Sequence, residues 1–237
     1  MIAILDHIED ITPGIHTFWF KPERHMHYTA GQFTELYLPH DNPDDRGERR
    51  WFTLSSSPTD PLLAITTKFA PDGQQSSSFK QALRELQIGS EVSVADAMGD
   101  FVLPKDKSIP MLFVAGGMGI TPVHSMIKYL SDSHEQRDIQ LLYGVHSDTQ
   151  MIYRRLFDEY GLTSFTPLAQ ETSTDWRGET DSITAERVIA LLGNNLETHV
   201  YLSGPEPLIK IIAKELEKYG VAKHRIITDF FPGYNQF

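Results

Sequence analysis

The feature that most constrains the fold is a short apolar run, Met111 to Ala115, that leads directly into Gly116-Gly117-Met118-Gly119-Ile120-Thr121-Pro122. An uninterrupted apolar run bounded by glycine reads as a strand covered on both faces, the environment of a parallel sheet. Proline near the start of the next segment suits the first turn of a helix. Strand, glycine turn and helix in that order put free backbone N–H groups at the carboxyl end of the strand, where open parallel sheets bind ligands. Glycine also lets a ligand approach the backbone closely. On these glycines alone, a nucleotide site and a tight structural turn are equally good readings, because the spacing is not the six-residue dinucleotide fingerprint.

The rest of the second half repeats the pattern. Helical segments are expected at Pro122 to Leu130, Gln150 to Tyr160, Thr184 to Leu192 and Glu206 to Tyr219. Strands are expected at Ile139 to Val145, Ser164 to Ala169, His199 to Ser203 and Arg225 to Thr228. Alternation of this kind builds a parallel sheet covered by helices. A second glycine turn, Ser203-Gly204-Pro205, again follows an apolar strand and precedes a helix. Parallel strands point one way, so both turns belong on the same edge of the sheet.

The first half reads differently. Ile15 to Phe20, Phe33 to Leu38 and Leu62 to Thr67 are short β-rich runs separated by turn residues, as in an antiparallel barrel or sandwich. Phe79, Leu83 and Leu86 recur at helical spacing behind Ser76-Ser77-Ser78, a run of N-cap candidates. The expected organisation is an N-terminal antiparallel β-barrel over residues 1–104 and a parallel-sheet α/β domain over residues 109–237, joined by Lys105 to Ser108.

Composition narrows the chemistry. There is no cysteine, which excludes disulfides, thiolate nucleophiles and Cys-ligated iron–sulfur clusters. Redox chemistry would therefore need an organic cofactor or a metal on other ligands. A net charge of −11 argues against general nucleic-acid binding. The longest apolar stretch, Ile109 to Ile120, is broken by three glycines and falls short of the roughly 20 residues that span a bilayer. The N-terminus has no basic segment ahead of an apolar one, so a cytoplasmic location is expected.

Two segments of the first half combine groups that bind phosphate. Arg49-Arg50-Trp51-Phe52-Thr53-Leu54-Ser55-Ser56-Ser57-Pro58 carries cations, aromatics and hydroxyls. On a strand, Arg50 and Phe52 share one face and Trp51 and Thr53 the other. A guanidinium fork suits phosphate, and an aromatic beside it can cover a planar ring. From chemistry alone, an ordinary amphipathic strand with an exposed arginine is the commoner arrangement. Gly73-Gln74-Gln75-Ser76-Ser77-Ser78 offers hydroxyls and free N–H groups for a second phosphate contact, although simple N-capping is commoner.

Taken together and in order, these motifs resemble the ferredoxin–NADP reductase superfamily along nearly the whole chain. Arg50-Trp51-Phe52-Thr53 resembles the family's Arg-x-Tyr-Ser flavin motif, and Gly31-Gln32-Phe33 the element before it. Gly73-x-x-Ser76 resembles the flavin phosphate loop, and Gly99-Asp100-Phe101 the turn that closes the barrel. Gly116 to Pro122 resembles the pyridine-nucleotide loop, Ser203-Gly204-Pro205 the family's Cys-Gly-Pro, and Asp229-Phe230-Phe231 its terminal Glu-x-aromatic.

The resemblance implies an FAD-binding barrel, an NAD(P)-binding domain, and hydride passing from NADPH or NADH to flavin. It implies that Arg50 and Ser76, Ser77 and Ser78 hold the flavin phosphates. Trp51, Phe52, Thr66 and Thr67 would line the flavin site, and Thr53 would hydrogen-bond flavin N5. Gly117, Gly119, Thr121, Gly204 and Pro205 would position the nicotinamide nucleotide. Ser203 and Asp229 would sit with Thr53 at the point of transfer, and Phe231 or Phe237 would cover the flavin. The chain departs from the family at Phe52, which lacks the tyrosine hydroxyl, at Ser203 in place of cysteine, and at Asp229, one methylene shorter than glutamate.

With no iron–sulfur segment of its own, the chain is expected to reduce a separate small carrier such as ferredoxin or flavodoxin, with Lys21, Arg24, Arg46 and Arg49 as candidate docking cations. Free flavin, quinone and ferric chelates are other acceptors. A flavin-binding regulatory or electron-transfer subunit without turnover is the main rival. A metal site at His25-Met26-His27 with His7 or His16 is a weaker one. The choice between NADH and NADPH is not legible in the sequence. His146-Ser147-Asp148 is the segment placed to contact the ribose, with Arg154 and Arg155 near it in sequence.

Overall fold

The computed structural model describes residues 1–71, 74 and 76–229; Gly73, Phe230, Phe231 and Phe237 lie outside them. The chain divides into two compact units, Met1–Val102 and Leu103–Phe237.

The first unit is built on strands β1 (Ile2–Thr12), β2 (Ile15–Pro22), β3 (Phe33–Tyr37), β4 (Arg49–Thr53), β5 (Leu63–Lys68) and β6 (Glu91–Val94), with helix α1 (Ser78–Glu85) between β5 and β6. All pairings are antiparallel, in the order β4-β3-β6-β1-β2-β5. The two ends of this sheet approach each other: the Ser55 N–H, just past β4, donates to Ala64 O in β5 at 2.8 Å. The sheet is therefore barrel-like, joined at the seam by a backbone bond rather than by a strand ladder. Inside lies one apolar cluster that includes Phe18, Phe20, Leu36, Phe52, Ile65, Phe79 and Leu83. Each such side chain contributes about 1.5–3 kcal/mol when fully buried. The helix α1 supplies Phe79 and Leu83 from one face, and Ser77 caps it by accepting the Lys80 N–H at 3.3 Å. Leu86, expected inside the helix, is its C-cap.

The second unit contains β7 (Met111–Gly116), α2 (Ile120–Asp132), β8 (Ile139–Ser147), α3 (Arg154–Tyr160), β9 (Ser164–Glu171), β10 (Glu179–Thr180), α4 (Ala185–Leu192), β11 (His199–Ser203), α5 (Glu206–Tyr219) and β12 (Ile226–Thr228). Its sheet is parallel throughout, in the order β10-β9-β8-β7-β11-β12. Every residue of β7 is buried, as a central parallel strand requires.

Two helix starts differ from expectation. A 3-10 turn at Gly117–Gly119 feeds directly into α2, which begins at Ile120 and takes Pro122 into its first turn. The helix expected from Gln150 begins only at Arg154, because Tyr153 adopts a left-handed backbone with φ +63°. The Tyr153 ring stacks on His124, with centroids 3.7 Å apart, and this contact accompanies the break. Among the described residues no helix is long and apolar enough to cross a membrane.

Candidate functional site

In the second unit the site follows from strand register. β7 and β11 are neighbours, with Ala115 opposite Ser203, so the two glycine turns leave the same edge side by side. They interlock backbone to backbone. A Cβ at Gly119 would lie 2.4 Å from both the carbonyl carbon and oxygen of Ser203 and 2.6 Å from Gly204 N. Gly204 has φ +147°, and a Cβ there would lie 3.0 Å from the N, Cα and O of Gly116. Pro205 completes the contact, since a Cβ on Gly116 would meet its Cδ at 3.0 Å. Gly117 is different: its φ is +54°, but a Cβ there would meet nothing within 4 Å. Its glycine answers a conformational demand and leaves the face of the turn open. Thr121 is buried, and its hydroxyl donates to Met118 O at 3.0 Å, fastening the turn to the first turn of α2.

Beside this pair, Ser203 Oγ donates to Asp229 Oδ2 at 2.9 Å. The Asp229 N–H donates to Leu202 O at 2.9 Å, which extends the β11–β12 ladder and fixes the carboxyl at the strand edge. Although Asp229 is only part-buried by its own surface, desolvation pushes its carboxyl up to about 7, with the Ser203 hydrogen bond working against that rise. A carboxyl in that range exchanges protons at neutral pH.

At the rim beyond β8 and β9, Asp148 and Arg154, both named from the sequence, meet Ser173 and Trp176, which were not. Asp148 Oδ2 accepts from the Ser173 N–H at 2.8 Å and from Ser173 Oγ at 2.6 Å. This clasp borders an open pocket of about 320 Å³ that also meets Arg154 and Trp176. The Arg154 guanidinium carbon lies 5.9 Å from the Phe165 ring centroid and 5.8 Å from that of Trp176. Arg155 stays on the solvated helix face, paired with Glu159 at 2.6 Å. His146 and Glu171, at the ends of β8 and β9, approach to 3.2 Å.

In the first unit, Arg50 and Phe52 lie against the same ring: the Arg50 guanidinium carbon is 5.4 Å from the Phe79 centroid, and the Phe52 and Phe79 centroids are 5.8 Å apart. Arg50 is buried. Its Nη1 donates to the carbonyls of Arg46, Gly47 and Arg49 at 3.0, 2.8 and 2.7 Å, and its Nη2 to Asp44 Oδ1 at 2.5 Å. Its Nε is buried without a partner. Phe52 belongs to the apolar core. Trp51 is part-buried and donates to Glu35 Oε1 at 3.3 Å, and Thr53 is buried at the end of β4. Thr66 shares its hydroxyl with Thr17 and Ser55, each at 2.8 Å, and Thr67 is buried next to it in the strand. Ser77 is the helix cap, Ser76 precedes it, and Ser78 Oγ accepts the Asp44 N–H at 2.9 Å.

Arg50 and Ser78 are thus brought together through Asp44, a residue that no sequence motif marked. The histidines of the metal reading are spread out: His25 and His27 adjoin each other, whereas His7 pairs with Asp6 and His16 with Asp10. Among the described residues no group of three or more His, Cys, Asp or Glu side chains is placed to hold a metal.

Two features fit phosphate-bearing ligands. One is an unmet guanidinium N–H in a nine-tenths-buried side chain, whose desolvation costs about 1–3 kcal/mol or more until an acceptor arrives. The other is the open face of a glycine turn at the carboxyl edge of a parallel sheet.

A parallel sheet with paired glycine turns at its carboxyl edge is an architecture that binds nucleotides, and residues 113–214 match the family model described as the oxidoreductase NAD-binding domain. The chain is 28% identical over 214 residues to the glycine betaine monooxygenase reductase subunit of Chromohalobacter salexigens, covering 86% of this chain and 54% of that protein. It spans about half to three-fifths of the length of this and other curated relatives. Among solved structures, the flavohem-like FAD/NAD binding domain of nitric oxide dioxygenase from Vibrio cholerae superposes with a TM-score of 0.81 at 20% identity, covering 97% of this chain and 98% of that one. A ferredoxin NADP+ reductase from Neisseria gonorrhoeae, with bound FAD and NADP, gives a TM-score of 0.77 at 16% identity, covering 97% of each chain. Residues 113–214 carry the match to the oxidoreductase NAD-binding family, and the fold of the chain is that of the FAD/NAD-binding reductase structures on which it superposes.

Proposed function

We propose that this chain moves electrons from NADH or NADPH, by way of bound FAD, to a separate acceptor. The observation that carries the reading is the interlock of Gly116–Gly119 with Ser203–Gly204 beside Asp229, at the carboxyl edge of the parallel sheet. When bound, FAD supplies the hydride-accepting and electron-passing chemistry, and the protein supplies position.

In this reading Arg50 holds flavin phosphate, with the hydroxyls of Ser76, Ser77 and Ser78 nearby. Thr53 presents its hydroxyl to the ring, with Trp51, Thr66 and Thr67 around it, and Phe52 supports the site from the core side. Gly117 and Gly119 admit the nicotinamide nucleotide to the turn, Thr121 keeps the turn in shape, and Gly204 and Pro205 form the facing wall. Asp229 holds a proton on its carboxyl group, which is oriented by the Ser203 hydroxyl donating to Oδ2. The acceptor is a separate protein, either a small carrier such as ferredoxin or flavodoxin or an oxygenase component. The relative named a monooxygenase reductase subunit favours such an arrangement. Arg46, Arg49, Arg24 and Lys21 are the cations offered to an acidic partner, and Arg49 is already ordered by Glu35 at 2.8 Å.

The test is an anaerobic titration of the flavin-loaded chain with NADH and with NADPH, followed in the visible flavin band. Bleaching by either supports the reading and identifies the donor. Flavin that stays oxidised with both would leave a flavin-binding electron-transfer or regulatory subunit instead.

A further inference from the structure

The Arg50 site is already occupied by an anion, and that anion belongs to the chain. Asp44 Oδ1 accepts from Arg50 Nη2 at 2.5 Å, and Asp44 Oδ2 accepts the Ser78 N–H at the first turn of α1 at 3.3 Å. Asp44 thus bridges the two groups that would bind a phosphate in this unit: a guanidinium and a helix N-terminus. The loop is pinned around it. Ser78 Oγ accepts the Asp44 N–H and lies 3.0 Å from His40 Nε2, and the Arg46 N–H donates to Asp44 Oδ1 at 3.0 Å. Burial works to raise the Asp44 carboxyl, but Arg50 and the Arg46 N–H outweigh it and hold it below its ordinary value.

The fit is incomplete in an informative way. A guanidinium gives its two-point recognition through Nε and the neighbouring Nη2, which donate side by side. Asp44 takes only Nη2, and Nε remains buried with no acceptor, in a side chain only 6% exposed. A tetrahedral phosphate has oxygens for both donors.

We propose that Asp44 is a displaceable stand-in for flavin phosphate: its carboxylate holds the Arg50–α1 site closed, and the incoming phosphate must expel it to engage Nε and Nη2 together. This inference rests on the reading of Arg50 as the phosphate holder. It adds a self-competing carboxylate, so that the loop from His40 to Arg49 rearranges when flavin binds.

The test uses the full-length flavin-free chain and three titrants: inorganic pyrophosphate, FAD and riboflavin, which lacks phosphate. Asp44→Asn removes the charge and keeps an oxygen to accept from Ser78 and Arg46. Asp45→Asn, at an exposed neighbour, makes the same change in net charge away from the site. The expected result is that Asp44→Asn binds pyrophosphate and FAD about fivefold more tightly than Asp45→Asn, a gain of about 1 kcal/mol, with riboflavin unchanged. Equal pyrophosphate affinity in the two variants, or weaker binding in Asp44→Asn, overturns the proposal. Tighter pyrophosphate binding in a chain that takes up no FAD keeps the displacement and removes the flavin assignment. Thermal unfolding checks that each variant is folded. If Asp44→Asn is not, Asp44→Ser, which can still accept from the helix N-terminus, must shift pyrophosphate affinity in the same direction.

Discussion

The two units build their candidate sites in opposite ways. In the first, the work falls to a side chain: Arg50 carries full charge and is held by loop carbonyls and by Asp44. In the second it falls to the backbone, in glycine turns locked against each other with no room for a Cβ at Gly119. A side-chain site can be switched by exchanging one counter-ion. A backbone site is fixed once its strands pair. The difference teaches that a side-chain site is adjustable through its counter-ion, whereas the second unit supplies a rigid edge.

The largest effect expected from this contrast concerns Asp229. Its carboxyl, at 3.8 when unperturbed, is raised to about 7 in the fold by burial. The native state therefore keeps a proton that the unfolded chain has released, and stability falls as pH rises from about 4 to about 7. The full shift corresponds to up to about 4 kcal/mol. Asp229→Asn should flatten that part of the profile, as measured by denaturant unfolding at a series of pH values. An unchanged profile would show that the second unit's edge holds no such proton.

Next is Gly119→Ala. Its Cβ would strike backbone atoms at 2.4 Å, and backbone cannot step aside as a flexible side chain does. A loss of about 3 kcal/mol is expected in urea unfolding, together with weaker binding of NADH or NADPH. A near-neutral result would mean the turns are less tightly locked than the geometry requires.

In the first unit, Thr66→Val should cost about 2 kcal/mol, because it leaves Thr17 and Ser55 without the buried hydroxyl they share. Flavin affinity measured on the same variant separates a stabilising role for Thr66 from a ligand-binding one. The smallest effect is that of Gly117→Ala, about 1 kcal/mol, since the new methyl meets nothing and only the left-handed backbone resists it. The gap between Gly119→Ala and Gly117→Ala directly measures the interlock.

What the sequence made legible follows from periodicity and turn chemistry. The alternating half was readable because β7 is apolar throughout and its helices carry amphipathic repeats. β1 was not read as a strand: it carries Asp6, His7, Glu9 and Asp10 in succession with Ile8, and most of its second half is exposed, so no clean alternation survives. β6 and β10, with four and two residues, are too short to show a period. The glycine turns and Arg50 were singled out by type and order, and Asp229 through the family resemblance; the hydrogen bond between Ser203 and Asp229 is seen only in the structure. Asp44 was not, nor were Ser173 and Trp176 as the partners of Asp148 and Arg154, because these partners lie far along the chain. Asp44 and Ser78 are 34 residues apart, and Asp148 and Ser173 are 25, and no local spacing marks either meeting.

The interlock of the glycine turns also limits how the molecule can diversify. Neither Gly119 nor Gly204 can take on a side chain without displacing the other turn, so these two positions are closed to variation. Variation is left to the rim, where Asp148, Arg154 and Trp176 border an open pocket. Diversification at this edge would leave its record in those positions, around a centre that stays unaltered.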